Sequence, residues 1–190
     1  RTQLVNVANF GESWAHPRIA SVAFQTLRTL SEPPQARITM AFDRAVVDVA
    51  AHAASSSDRF VKTSGIQLLV RLANFPTSKA VIWAAVAEDL APLVEAQGGA
   101  LEQALLLGRS LAQDPMVAVA MKTAGLKEWA QAVSEDPTSQ ENLVEHANRL
   151  WETLPRTSLA RAIPNHYMAE LPADISGIIG HEERVSAIRV

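Results

Sequence analysis

The residue types able to do chemistry in this chain are its histidines, its adjacent carboxylates and its arginines. Five histidines occur, at His16, His52, His146, His166 and His181. A helical zinc site needs two ligands one turn apart so that both reach the same ion. No two of these histidines stand at that i, i+4 spacing, and no His-Glu-x-x-His is present. The run His181-Glu182-Glu183-Arg184 sets ligand-type groups side by side, and a short charged patch of this kind in a tail reads as solvated. Glu88 and Asp89 are neighbours in sequence, and neighbours on a helix diverge, so they do not form a converging general acid–base pair. At a helix corner they favour the N-terminus of the helix that follows. With Cys 0 in the composition, thiolate zinc sites, iron–sulfur clusters, disulfides and cysteine nucleophiles are excluded. Gly98-Gly99 lacks the lysine and serine of a phosphate loop and the third glycine of a dinucleotide turn. This reading yields no catalytic residue, no metal and no cofactor, and the expectation is that the chain is not an enzyme.

The arginines carry the sharper pattern. Arg28, Arg71, Arg109 and Arg149 recur at intervals of about 40 residues. Each stands shortly before a proline: LLVRLANFP (Leu68 to Pro76) and LLLGRSLAQDP (Leu105 to Pro115) are the closest pair, and TLRTLSEPP from Thr26 and ANRLWETLP from Ala147 are weaker copies. Two readings stay open. A row of guanidinium groups on one face could clamp carboxylates of an acidic peptide or of another subunit. Alternatively, a cation in the last turns of a helix favours the negative end of its dipole, by about 0.3–1 kcal/mol. Trp151, two residues after Arg149, is a candidate exposed anchor, with core packing as the competing reading. Trp83 and Trp129 fall on apolar faces and read as core, and Arg44 with Asp48 reads as a surface ion pair.

The elements that must position these residues are helices. Apolar residues make up 48% of the 190 residues, charged ones 19%, and the formal charge is −3. That balance argues against a disordered chain and against a strongly basic nucleic-acid binder. Ala, Leu and Val recur at three- and four-residue spacing, the period of an α-helix, and no strand is legible before the tail. Breaks fall at Ser31-Glu32-Pro33-Pro34, Ser55-Ser56-Ser57, Pro76-Thr77-Ser78, Gly98-Gly99, Asp114-Pro115 and Asp136-Pro137. Proline cannot continue a helix, glycine supplies a left-handed cap, and Ser, Thr or Asp accepts orphan N–H bonds at the next start. Thr138-Ser139-Gln140-Glu141 has the form of a capping box, with Thr138 as N-cap and Glu141 reaching back. Segments beginning near His16, Asp58, Gly99 and Thr138 alternate with segments beginning near Gln35, Ser78 and Met116. Aligning the latter sets Val46 and Val49 over Leu90 and Leu93 and over Leu126 and Trp129. An internal period of about 40 residues in an all-helical chain predicts stacked units.

In this respect the chain resembles armadillo-type repeats and their looser HEAT-like relatives. AEDLAPLVEAQ (Ala87 to Gln97) and TAGLKEWAQAV (Thr123 to Val133) resemble the sharp turn into a second helix, with Gly125 at the corner and Pro92 just inside. RAVVDVAAHA (Arg44 to Ala53) is a third copy. The resemblance spans roughly residues 17–155 and makes the arginine-bearing segments the long third helices. It implies an all-α fold, a short α-solenoid of about three repeats. Ser64-Gly65 is expected to interrupt one third helix. The asparagine ladder of nuclear-import receptors is not reproduced, since only Asn74 and Asn148 sit near such positions, so import-cargo binding is not implied. LVNVANF (Leu4 to Phe10) echoes LVRLANF (Leu69 to Phe75) and reads as part of a preceding repeat.

After Leu154 the grammar changes. Pro155, Pro164 and Pro172 punctuate an apolar, non-repeating tail. Leaving Tyr167, Leu171, Ile178 and their apolar neighbours in water would be costly at about 25 cal/mol per Å². The expected organisation is a helical-repeat domain over 1–155 and an irregular C-terminal docking arm over 156–190, lying on its own domain or on a neighbour. The expected function is that of a non-catalytic scaffold or adaptor, a subunit of a larger assembly whose partners are other protein subunits. Arg28, Arg71, Arg109, Arg149, Trp151, Tyr167, Leu171 and Ile178 are the candidate contacts. The alternative is a solenoid that binds or acts on nucleic acid through a cationic concave face. The longest mostly apolar run, Ala80 to Val94, is broken by Glu88, Asp89 and Pro92 and is too short to span a bilayer. The first residue is Arg1, so a processed chain or a piece of a longer one is expected, and no signal-peptide pattern is legible. An intracellular address is expected, mitochondrial or cytosolic alike.

Overall fold

A computed structural model describes residues 17–155, and every regular element in that range is helical. The candidate contacts Tyr167, Leu171 and Ile178, the Leu4 to Phe10 echo and the 156–190 arm lie outside the described residues. In chain order the helices are α1 (Pro17–Leu30), α2 (Pro34–Ala41), α3 (Arg44–Ala54), α4 (Arg59–Ala73), α5 (Lys79–Ala87), α6 (Ala91–Val94), α7 (Gly99–Leu111), α8 (Pro115–Thr123), α9 (Leu126–Glu135) and α10 (Glu141–Thr153). One 3-10 turn, Pro76–Ser78, leads into α5.

Most of the starts follow from local chemistry. Asp43, Asp58 and Asp114 adopt extended backbone and accept the first free N–H groups of α3, α4 and α8. Pro34 and Pro115 occupy the first turns of α2 and α8, where a missing N–H costs nothing. Gly125, at φ 84°, makes the left-handed corner between α8 and α9. Asp89 accepts from Ala91 N at 3.2 Å at the start of α6, the role expected for the Glu88-Asp89 pair.

Two local expectations are corrected. The capping box does not form: Gln140 is the N-cap of α10 and makes no side-chain cap bond. The Asp136 carboxylate instead draws in both Thr138 N at 2.8 Å and Thr138 Oγ1 at 2.7 Å, so the threonine hydroxyl is spent on the preceding turn. Nor does Ser64-Gly65 interrupt its helix, because α4 runs unbroken through both residues. The glycine serves close packing. A Cβ on Gly65 would lie 2.6 Å from Ala53 Cβ and 2.8 Å from Ala50 O, so its absence lets α3 cross directly on α4.

Packing is sequential. α1 lies on α4, α4 on α7, and α7 on α10, which makes a row of long helices. α3 backs α4, α6 backs α7, α9 backs α10, and α5 bridges α3, α4, α7 and α8. One apolar core runs between these layers, with Phe24, Leu27, Ile66, Leu69, Leu105 and Leu150 fully buried. Val46, Val49, Leu93 and Leu126 are buried, with Leu90 and Trp129 packed against the core, as the aligned apolar pairs require. The row's two ends differ. Every exposed residue of α10 is polar: Glu141, Asn142, Glu145, Asn148, Arg149, Glu152 and Thr153. α1 exposes Ile19, Val22 and Leu30, at 54%, 61% and 46%. Ile19 and Leu30 each stand two residues, about 200° of helix turn, from Ser21 and Arg28, the residues that reach α4. Ile19 and Leu30 therefore point away from α4, whereas Ala20, Ala23, Phe24 and Leu27 of the same helix are buried in the core.

Candidate functional site

The row arginines do not all do the same thing. Arg28 donates to Gln67 Oε1 on α4, and Arg109 Nη1 stands 2.8 Å from His146 Nδ1 on α10. Each of these two guanidinium groups reaches forward to a side chain other than a carboxylate on the next row helix. Gln67 stands four residues before Arg71, and His146 three before Arg149. At the corresponding places α7 carries Leu105 and Leu106. Arg71 consequently has no acceptor ahead of it. Its Nη2 turns back toward Glu32 Oε1 at 3.9 Å, and its buried Nε has no hydrogen-bond partner. Arg149, on the last described row helix, pairs with Glu145 of its own helix.

The helix-end reading of these arginines is met only in position. Arg28, Arg71 and Arg109 lie in last turns, but Arg149 does not. The terminal carbonyls are bonded by other residues. Ser31 Oγ donates to Arg28 O, and Arg37 from α2 donates to Ser31 O and Glu32 O. Ser78 Oγ lies 2.7 Å from Leu72 O and 2.8 Å from Phe75 O, and Ser110 Oγ of α7 donates to Ala73 O of α4 at 3.0 Å. Ser31 and Ser78 each reach a carbonyl three residues back, Ser110 crosses from α7 to α4, and none of these serines has a long stem to order.

A groove of about 520 Å³ crosses α4, α7 and α10 on the arginine side, lined by Val70, Asn74, Leu106, Arg109, Ser110, Gln113, Arg149, Glu152 and Thr153. It brings together two of the four sequence-predicted arginines. Arg28 lines a smaller cleft of about 180 Å³ with Phe24, Gln25, Ser64 and Gln67. Arg71 lines neither. Val70 and Leu106 are half-buried, whereas Asn74, Gln113 and Glu152 are exposed.

Beneath the groove lies a residue the sequence reading missed. Lys79, 4% exposed, donates from Nζ to Gln113 Oε1 at 2.8 Å. Burial pushes its pKa below the ordinary lysine value, opposed in part by the nearby Asp114 carboxylate. An ammonium has only donors, so the Gln113 atom it meets is the carbonyl oxygen and the Gln113 NH₂ is left to point elsewhere. The lysine had no visible signal, because it sits between a turn and an apolar helix where a surface cation is the ordinary reading.

Trp151 is half-buried and packs against the core, with Lys127 Nζ 4.7 Å from its ring centroid. Lys127 Nζ also donates to Leu154 O at 2.8 Å, so α9 grips the chain where it leaves α10. Among the described residues no cluster of His, Asp and Glu is arranged to hold a metal ion, and no helix is long and apolar enough to cross a membrane. No protein-family model matches the sequence, and no curated protein matches it.

Proposed function

We propose that the chain is a non-catalytic scaffold or adaptor, a short armadillo-like α-solenoid of about three repeats that serves as a subunit of a larger protein assembly. It binds a segment of a partner in the groove across α4, α7 and α10, and contacts a neighbouring chain through residues 156–190. The observation that carries this reading is the convergence of Arg109 and Arg149, from separate row helices, on one groove with an apolar floor at Val70 and Leu106. Shallow grooves with an apolar base and polar rim suit peptide segments. The exposed apolar side chains Ile19, Val22 and Leu30 of α1 support a life in contact with other chains.

The test is site-specific photo-crosslinking in native extract. A benzophenone side chain replaces Asn74 in the groove or, as a control, the exposed Gln131 on α9. Products are read by mass spectrometry, with and without residues 156–190. The reading expects protein products from position 74 that position 131 does not give, and loss of a subset on truncation. Identical products from both positions, or nuclease-sensitive ones from position 74, would overturn it.

A further inference from the structure

We infer that Arg109, in the last turn of α7, and Gln113, just past the end of that helix, form a carboxylate clamp, and that the groove's occupant is an extended peptide segment presenting an acidic side chain to it. This rests on the protein-binding reading of the groove and names the chemistry of its ligand. Two observations carry it. First, Arg109 meets an imidazole nitrogen of His146 at 2.8 Å instead of a carboxylate, forms no ion pair among the described residues, and lines the groove. Arg149 differs, being already paired with Glu145. Second, Lys79 Nζ meets Gln113 at its carbonyl oxygen, which leaves the amide NH₂ of this groove-lining side chain as a donor that Lys79 does not use.

Guanidinium plus amide N–H is a donor-rich pair, and it selects an anionic oxygen acceptor over a donor. Val70 and Leu106 in the lining offer contact to an apolar side chain adjoining the acidic one. The groove crosses two helix spacings of about 8–10 Å each, which about five or six extended residues span at about 3.3 Å per residue. Glu152 on the α10 side of the lining disfavours a second acidic residue there and sets the direction of the segment.

The experiment is a backbone and side-chain amide NMR titration of the full chain. The probes are two capped hexapeptides of Ala and Leu carrying one central Glu or, as isostere, one central Gln. The Glu peptide is expected to shift the Arg109 Nε–H, the Gln113 side-chain amide and α7 backbone signals, and to bind about tenfold or more tighter than the Gln peptide. Arg109→Gln should remove that preference. Lys79→Met should reduce affinity for the Glu peptide severalfold while leaving that for the Gln peptide unchanged, which a merely structural role for Lys79 would not do. Equal binding of the two peptides, with shifts on α7, overturns the clamp and leaves groove binding standing. No shift on α4, α7 or α10 overturns both. Displacement of the Glu peptide by oligo-dT assigns the site to phosphate and also overturns the proposal.

Discussion

Arg109 on α7 and His146 on α10 meet at 2.8 Å across a sequence separation of 37 residues, and Arg28 meets Gln67 in the same sense across 39. The repeating arginine is thus a tie between consecutive row helices wherever the next helix supplies an acceptor three or four residues before its own arginine.

A double-mutant cycle on Arg109→Met and His146→Phe should return a coupling of about 0.5–1.5 kcal/mol, the net worth of a part-buried hydrogen bond. The same cycle on Arg71→Met with Leu106→Ala should return a coupling near zero, because Arg71 turns toward Glu32 instead. Urea denaturation of the single and double variants measures both.

Gly65→Ala should destabilise by about 1–3 kcal/mol despite the better helix propensity of alanine, since the new methyl meets Ala53 Cβ and the Ala50 carbonyl, neither of which can move alone. Gly108→Ala should be close to neutral. Its methyl meets Leu150 Cδ2 at 2.9 Å, the end of a side chain that can rotate, and the gain of about 0.8–1 kcal/mol in propensity offsets the adjustment. Thermal melts of the two variants side by side decide it.

Lys79 gives a pH signature of defined sign. Its pKa is lowered in the folded chain, so the unfolded chain binds the proton more tightly and the charged lysine opposes folding at neutral pH. Stability should rise as pH climbs from the lowered native value toward the ordinary 10.5. The difference between the wild-type chain and Lys79→Met, measured by urea denaturation from pH 7 to 10.5, should shrink in the variant's disfavour as pH increases. At pH 7 the variant should be at least as stable.

Asp136 behaves in the opposite sense. Backbone and side-chain hydrogen bonds from Thr138 hold its carboxyl below the ordinary 3.8, so its contribution is complete above that value and is lost as pH falls through the lowered native one. Asp136→Ala should accelerate amide exchange at Thr138 and the first turn of α10 near neutral pH, and the difference from wild type should vanish in strong acid.

Much of the fold was legible. The breaks at Pro33-Pro34, Gly98-Gly99 and Asp114-Pro115 are helix boundaries, and Asp58 and Asp114 cap the helices that follow. Such signals act within one turn, so a linear reading finds them. The capping box at Thr138 failed for an equally local reason, as Asp136 two residues earlier offered a better acceptor for the same hydroxyl. The candidate site was half legible. The arginine period was visible, but the period alone could not separate Arg109, aimed into a groove, from Arg71, turned back on Glu32.

By itself the sequence determined where helices start and stop and which side of each is apolar, because propensity, capping and periodicity are settled by residues within a few positions of one another. Only the tertiary structure decided that Gly65 is a contact with α3, that Lys79 is buried under Gln113, and that two of four arginines share a groove. Those facts depend on how separate helices are set against each other, across 34 residues for Lys79 and Gln113, and that placement follows from the summed packing of the core, which no single stretch of chain encodes.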